Sequence, residues 1–215
     1  MSDRHQLNST FYERLSPDNA ALLLIDHQTG LMLGVETSEF TILKNNTLAL
    51  AALGKVFNLP TILTTSFSEG PNGHLMPEIV ATYPDCEIIN RSMVSAWDEP
   101  KYVAAVEKTG RKKLIMAAIT TDVCLLFPAL AAVEAGYDVY AVIDASGTWG
   151  AQAELASMMR LMQAGVKTTN WVSVAAELLR DWSKPVGKDL AKVFGERLTP
   201  YGYLIDNLAA AKAGH

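Results

Sequence analysis

The chain contains 215 residues, of which 49% are hydrophobic and 19% are charged, and its formal net charge is −5. This much apolar material excludes a mainly disordered chain, and the mild negative charge provides no basic surface for DNA or RNA. The longest nearly continuous apolar run, 123–133, has 11 residues. A membrane-spanning helix needs about 20, so we expect no membrane segment.

The amino terminus and the cysteine content both indicate a cytoplasmic protein. Residues 1–10 lack the apolar core of a signal peptide. Cys86 and Cys124 are too few for a disulfide scaffold, which fits a reducing compartment. The length and the lack of a linker predict a single domain over 1–215.

Apolar runs alternate along the chain with segments of helical periodicity. Strands are predicted, in chain order, at 21–25, 61–65, 87–89, 114–119, 138–143 and 166–169. Helices are predicted at 40–57, 100–108, 122–135, 152–164, 172–182 and after 203. Because the strands are apolar throughout, we expect both faces of the sheet to be covered. The pattern predicts an α/β fold, a three-layer α/β/α sandwich with a mostly parallel sheet.

The ends of the strands are the natural place to seek a site, since ligands of open α/β sheets bind at the carboxyl edge. The candidates there are Asp26, Thr65, 90–91, 120–124 and Asp144. The segment 66–85 is too long for an ordinary connection and carries repeated glycine and proline. Long loops of this kind are often functional.

Cys124 is a candidate nucleophile because it falls in the predicted first turn of the helix 122–135. Free N–H groups and the helix dipole at that position lower the pKa of a thiol and favour the thiolate. The alternative is a buried cysteine that only fills the core beside the apolar residues 125–127.

Two charged residues at neighbouring strand ends complete a possible catalytic group. Asp26 can act as a general base that takes the thiol proton, or it can be a helix cap or a solvated strand end. Arg91 can hold a thiolate and a developing oxyanion, or it can form a surface ion pair. Together with Cys124 they are more specific than any one of them alone.

Three aromatic residues, Phe67, Trp97 and Trp149, directly follow strand-end segments. They can line a small apolar pocket for a substrate. The alternative is that they pack in the core or against another subunit.

Several motifs give the chain a family resemblance. Asp26 in Leu-Leu-Leu-Ile-Asp-His-Gln-Thr-Gly and Cys124 in Thr-Thr-Asp-Val-Cys resemble the two fixed points of the isochorismatase-like cysteine hydrolases. The segments 58–66, 70–73, 95–98 and 144–148 are similar to the YcaC-like branch of that superfamily. The similarity covers about 16–182, which leaves 183–215 as a C-terminal extension of the same domain.

The resemblance implies a Rossmann-like α/β/α fold with a catalytic triad. Asp26 matches the family's base, Cys124 its nucleophile, and Arg91 the position of its lysine. An arginine at the lysine position departs from the pattern of the superfamily at large, although the YcaC-like branch looks similar to this chain at that position. Arginine keeps the positive charge but practically never releases a proton, so it can orient and stabilise charge but cannot act as an acid.

The resemblance also implies a cis peptide bond before the cysteine. The matching bond joins Ile119 to Thr120, and it would turn the N–H of Thr120 or Thr121 toward the site. Together with the N–H of Cys124, that donor would form an oxyanion hole.

The implied activity is hydrolysis of a small amide or related acyl compound through a thioester. No cofactor is expected, and no metal, because the metal-binding relatives use an aspartate with two histidines while His74 is isolated here. The resemblance also implies a ring-like homo-oligomer of the octamer class, with a small-molecule substrate that the sequence does not identify. The alternative is a catalytically silent oligomer that binds a small molecule or a partner.

Overall fold

The computed structural model describes residues 14–213, in which six strands form one parallel sheet. The order across the sheet is β3-β2-β1-β4-β5-β6, and every neighbouring pair of strands is parallel. The strands are β1 (Ala20–Ile25), β2 (Thr61–Ser66), β3 (Ile88–Arg91), β4 (Lys113–Ala118), β5 (Asp138–Val142) and β6 (Lys167–Thr169). The predicted sheet is confirmed, with strand ends shifted by one or two residues.

Nine α-helices connect and cover these strands in the described part of the chain. They are α1 (Thr29–Leu33), α2 (Phe40–Val56), α3 (Pro77–Thr82), α4 (Pro100–Lys108), α5 (Leu126–Glu134), α6 (Ala151–Gln163), α7 (Trp171–Leu179), α8 (Val186–Arg197) and α9 (Thr199–Ala213). Helices α1, α3 and α8 were not predicted. The first two have only five and six residues, too few for a visible periodicity. Because α3 lies within 66–85, that segment is not entirely a loop.

The continuous apolar run of β1 reflects burial on both faces of the sheet. Leu22 and Leu24 point into one core, with α2, α7 and α8, while Leu23 and Ile25 point into the other, with α4, α5 and α6. All four side chains are completely buried. Alternate residues of a strand face opposite sides, so a strand covered on both sides must be apolar throughout. The predicted three-layer sandwich is confirmed.

Part of the C-terminal extension, 183–215, packs into the core. Leu190, Val193 and Phe194 of α8 are buried in the cluster that covers one face of the sheet. Helix α9, in contrast, has no buried residue. None of the helices within 14–213 combines the length and the apolar character needed to cross a bilayer.

The strand order creates a switch point at the centre of the sheet. From β1 the chain runs outward through β2 to β3, and it then returns to β4 on the other side of β1. The carboxyl ends of β1 and β4 therefore lie side by side, with their connections leaving in opposite directions. This is where open α/β sheets bind ligands, and it brings Asp26 near the segment 119–124.

Candidate active site

Asp26 follows β1 directly and is completely buried. Its backbone has a φ of 57°, in the left-handed region that residues other than glycine seldom adopt. The hydroxyl of Thr64, on the neighbouring strand β2, donates a hydrogen bond to Oδ1 of Asp26 at 2.8 Å. Strained backbone of this kind is frequent at functional sites, and here it turns a buried carboxylate out of the strand.

Arg91, the last residue of β3, forms a bidentate ion pair with Asp26. Its Nη1 lies 2.7 Å from Oδ1 and its Nη2 lies 2.6 Å from Oδ2. Nη1 also donates to the hydroxyl of Thr64 at 3.1 Å, and Nη2 donates to the carbonyl of Val94 at 3.2 Å. Burial opposes the charge of Arg91, but the hydrogen bonds and negative charge of Asp26 outweigh it and raise the pKa of Arg91.

The guanidinium group presents no solvent-accessible donor to a ligand. Four of its N–H contacts go to protein oxygens, and Nε is buried without a partner among residues 14–213. The sequence left two alternatives for Arg91, a cation that holds a thiolate and an oxyanion or a residue in a surface ion pair. The structure instead directs its donors to Asp26, because a bidentate pair with a carboxylate uses the whole terminal face of the guanidinium.

Cys124 lies in a π-helical turn, Thr121–Leu125, which precedes α5. The prediction of an ordinary helical first turn within 122–135 is therefore corrected. In this turn the N–H of Leu125 reaches back to the carbonyl of Thr120 at 3.0 Å. Pro128 falls in the first turn of α5, where its missing N–H costs little. Cys124 keeps 8% exposure, so a small part of the residue reaches solvent.

The predicted lowering of the cysteine pKa is wrong for this environment. Burial raises the pKa of the Cys124 thiol, and the nearby Asp26 carboxylate raises it further through its charge and a side-chain hydrogen bond. The Thr120 N–H and the charge of Arg91 act in the opposite direction but are weaker. A buried thiol beside a carboxylate therefore stays protonated in the resting protein. The helix-terminus argument failed because it considered neither the burial nor the neighbouring negative charge.

The backbone before Cys124 has the implied cis peptide bond between Ile119 and Thr120. The N–H of Thr120 is close enough to the Cys124 sulfur to influence its pKa. The N–H of Thr121, however, donates to the carbonyl of Gly147 at 3.0 Å. Of the two alternatives for an oxyanion donor, Thr120 is thus the one with its N–H at the site.

The three predicted aromatic residues separate into two groups. Phe67, which follows β2 with a φ of 48°, donates its N–H to the carbonyl of Arg91 at 2.8 Å and leaves 59% of the residue exposed. Trp149 is 55% exposed, at the same carboxyl edge of the sheet. Trp97 instead packs edge-on against Tyr137, 5.7 Å between ring centroids, and Tyr137 precedes β5 at the opposite edge. The placement of Trp97 therefore favours packing over a role in a pocket.

Two polar residues were not predicted as part of the site. Thr64 contacts both members of the ion pair. Gln28, completely buried, donates from Nε2 to the carbonyls of Ser66 at 3.1 Å and Gly73 at 2.5 Å, and its Oε1 accepts from the N–H of Ser66 at 2.7 Å. It thereby ties the loop after β2 to the end of β1. The available signals were a polar residue within an apolar strand, for Thr64, and a polar residue three positions after one, for Gln28.

His27 and His74 differ in burial. His27 is completely buried, and its Nε2 lies 2.9 Å from the carbonyl of Ala145, on the side away from Arg91. Burial lowers the pKa of His27 to about 4, which keeps its ring neutral. His74 is exposed. Between residues 14 and 213 there is no group of three or more side chains arranged to hold a metal ion.

Comparison with known proteins identifies the family to which this site belongs. The model of the isochorismatase domain matches residues 20–173, which include all three members of the Asp26–Arg91–Cys124 group. The chain belongs to the isochorismatase family. Within the family it is 48% identical, over 195 residues, to the "Probable hydrolase YcaC" of Escherichia coli, with 90% of this chain and 93% of that protein covered.

Two solved structures place the chain in the YcaC branch of the isochorismatase family. The YcaC gene product of Escherichia coli, described as an octameric hydrolase of unknown specificity, aligns with a TM-score of 0.91 and 45% identity, covering 93% of this chain and 98% of that one. YcaC from Pseudomonas aeruginosa, with hexane-2,5-diol and covalent acrylamide, aligns with a TM-score of 0.90 and 44% identity, covering 92% and 98%. The resemblance to this branch is therefore confirmed.

Proposed function

We propose that the chain is a hydrolase that cleaves a small amide or related acyl compound through Cys124. The observation that carries this proposal is the contact between the Cys124 thiol and the Asp26 carboxylate at the switch point of the sheet. A thiol beside a carboxylate is a nucleophile beside its base. Two further findings support it: YcaC of Escherichia coli is named as a probable hydrolase, and YcaC of Pseudomonas aeruginosa carries covalent acrylamide, an electrophile.

In the proposed first step, Asp26 takes the Cys124 proton as the sulfur attacks the substrate carbonyl carbon. Oδ1 of Asp26 already accepts from Thr64 and Arg91, whereas Oδ2 accepts from Arg91 alone, so Oδ2 has the spare lone pair for this proton. The proton then passes to the leaving amine as the C–N bond breaks, and a thioester remains. The raised pKa of Cys124 means that proton transfer accompanies the attack rather than preceding it.

In the second step, water attacks the thioester while Asp26 takes a proton from that water. The C–S bond breaks, the acid leaves, and the proton returns to the sulfur of Cys124. In both steps negative charge develops on the carbonyl oxygen, and we assign its stabilisation to the N–H groups of Thr120 and Cys124. Arg91 holds Asp26 in place and compensates its charge but does not contact the substrate.

Substrate access is proposed to run past Phe67 and Trp149, the two predicted aromatic residues that are exposed at the carboxyl edge of the sheet. Aromatic side chains at the mouth of a site bind apolar parts of small ligands. Trp97 lies among Tyr102 and Tyr137 and is not assigned to this surface.

A screen of small amides with the wild-type chain, Cys124→Ala and Cys86→Ala tests the proposed hydrolase. Ammonia or amine release should be lost in Cys124→Ala and retained in Cys86→Ala, because Cys86 contacts the start of β2 at the opposite edge of the sheet. Turnover that continues in Cys124→Ala would remove the thiol from the mechanism.

One observation favours the second candidate, a catalytically silent binding protein. The resting thiol has a raised pKa and the guanidinium is buried in its pair with Asp26, so the site is not preformed as a thiolate with an accessible cation. For a silent protein, ligands that bind would leave Cys124 unmodified and no acyl donor would be hydrolysed. Accumulation of an acylated Cys124 with an activated ester, followed by mass spectrometry, would decide for the enzyme.

We also propose that the chain forms a homo-oligomer of the octamer class. The Escherichia coli relative is described as octameric, and it aligns over nearly its whole length. Helix α6 leaves three large apolar side chains in solvent on one face, Leu155, Met159 and Met162, which suits a subunit contact. Sedimentation that gives a monomer of 23.3 kDa would contradict this proposal.

A further inference from the structure

The segment 146–148, which comes after β5 in the chain, runs beside the residues that follow β4. Ile119 and Gly147 form an isolated parallel bridge. Two residues further on, the N–H of Thr121 donates to the carbonyl of Gly147 at 3.0 Å. The segment 146–148 therefore continues the pairing of β4 past the cis peptide bond, up to the π-helical turn that carries Cys124.

Thr148 ties this turn to a second part of the chain and uses every polar atom that it has. Its hydroxyl donates to Oδ1 of Asp122, a residue of the π-helical turn, at 2.5 Å. Its N–H donates to the hydroxyl of Thr37 at 3.0 Å, and its carbonyl accepts from the N–H of Glu36 at 2.9 Å. Thr148 is buried, and a hydrogen bond from a hydroxyl to a carboxylate is among the stronger ones in proteins. The turn is thus fastened to the segment between α1 and α2.

We infer that Thr148 is a positioning residue, whose hydrogen bond to Asp122 fixes the π-helical turn that carries Cys124. The inference rests on the proposed function, in which backbone N–H groups at this turn stabilise the oxyanion. Such donors act only when they are aimed at the developing charge, and a misplacement of about 1 Å can cost about 100-fold in rate. A π-helical turn is a rare conformation, and here a side-chain contact from outside holds it. Thr148 acts through the backbone of the turn rather than on the substrate.

Two reactions of the Cys124 sulfur separate the position of the turn from the reactivity of the thiol. p-Nitrophenyl acetate transfers its acetyl group to the sulfur and releases p-nitrophenolate, and negative charge develops on the carbonyl oxygen during the attack. Iodoacetamide alkylates the sulfur by displacing iodide, and no oxyanion forms. Both reactions consume the same thiolate, so the ratio of acetylation to alkylation reports the oxyanion donors and not the pKa of the thiol. Mass spectrometry would follow both in the full chain carrying Cys86→Ala.

Thr148→Val keeps the size and shape of the side chain and removes the hydroxyl. We expect it to lower the ratio of acetylation to alkylation at Cys124 by about tenfold or more. Thr148→Ser keeps the hydroxyl and should restore the ratio to near the wild-type value. Thr41→Val is the matched control, because the hydroxyl of Thr41 also donates to a carboxylate, that of Glu39 at 2.9 Å, but on the exposed surface. It should leave the ratio unchanged.

Asp122→Ala removes the acceptor of the same hydrogen bond, so it should lower the ratio about as much as Thr148→Val and serves as a second test if the valine variant does not fold. Circular dichroism would establish that each variant is folded. A wild-type ratio in folded Thr148→Val or Asp122→Ala, or equal losses for valine and serine at 148, would overturn the positioning role and leave the proposed hydrolase intact. A wild-type Cys124 that p-nitrophenyl acetate never acetylates would overturn both.

Discussion

Arg91 and Asp26 meet end to end as a bidentate ion pair, with N–O distances of 2.7 and 2.6 Å and no solvent access to either side chain. The pair joins the ends of β3 and β1 across β2, whose Thr64 contacts both partners. The guanidinium of Arg91 thus holds the Asp26 carboxylate in place, and the geometry of this pair predicts how substitutions act.

Arg91→Ala should lower the free energy of unfolding by about 3–5 kcal/mol, because it leaves a buried carboxylate without its partner. Arg91→Lys should recover only part of this loss, since one ammonium cannot reproduce two parallel contacts with Asp26 together with those to Thr64 and Val94. Urea denaturation of the three proteins measures both effects. A lysine variant as stable as the wild type would show that the bidentate geometry contributes nothing.

Thr64→Val should destabilise the protein by about 1.5–3 kcal/mol, because a buried hydroxyl that donates to a charged group is replaced by a methyl group. Thr64→Ser keeps the hydroxyl and should lose about 1 kcal/mol or less, the contribution of one methyl group. Chemical denaturation compares them. Equal losses for serine and valine would assign the role of Thr64 to packing instead of hydrogen bonding.

Asp26→Asn should have opposite effects on the two reactions of Cys124. Amide hydrolysis should be lost with the base, while alkylation by iodoacetamide at pH 8 should become about tenfold faster or more, because the charge that most raises the pKa of Cys124 is removed. Mass spectrometry on protein shown to be folded by circular dichroism measures the alkylation. A slower alkylation would mean that Asp26 activates the thiol already in the resting state.

The stability of the protein should depend on pH through His27. Its pKa in the folded protein is lowered to about 4 from 6.5 by burial, so the unfolded chain binds more protons between these values. The free energy of unfolding should therefore rise with pH across this window, and about 3 kcal/mol should be lost as the pH falls from 6.5 to 4. Denaturation at several pH values should show that the free energy of unfolding rises less steeply with pH in His27→Asn than in the wild type. The exposed His74→Asn variant is the control and should keep the wild-type slope. An identical slope in His27→Asn and the wild type would contradict the burial of the neutral ring.

Two C-terminal truncations should differ in their cost to stability, because α8 contributes buried residues and α9 does not. Removing 203–215 takes away most of α9, which has no buried residue, and should cost little. Removing 183–215 also takes away Leu190, Val193 and Phe194 of α8, at about 1.5–3 kcal/mol for each buried side chain, or roughly 5 kcal/mol or more in total. Thermal melting of the two truncated chains would show the difference, and equal stability would place α8 outside the core.

The amino-acid sequence by itself determined the layer architecture and the candidate triad. The apolar runs that end at Asp26 and Arg91, and the strand before Cys124, predicted a parallel sheet, and a parallel sheet brings strand ends to one edge. Local patterns carry this information because burial on both faces requires an unbroken apolar strand, as in β1.

Only the tertiary structure decided which of these residues pair with one another and how their pKa values shift. The partners of Arg91, the contacts of Thr64 and Gln28, the raised pKa of Cys124 and the placement of Trp97 all depend on which side chains meet across different strands and helices. Burial and the distance between charges set these properties, and neither is encoded in the spacing of residues along one element. The position of Cys124 in the first turn of a helix therefore suggested a thiol with a lowered pKa, whereas burial and the Asp26 carboxylate raise that pKa in the packed site.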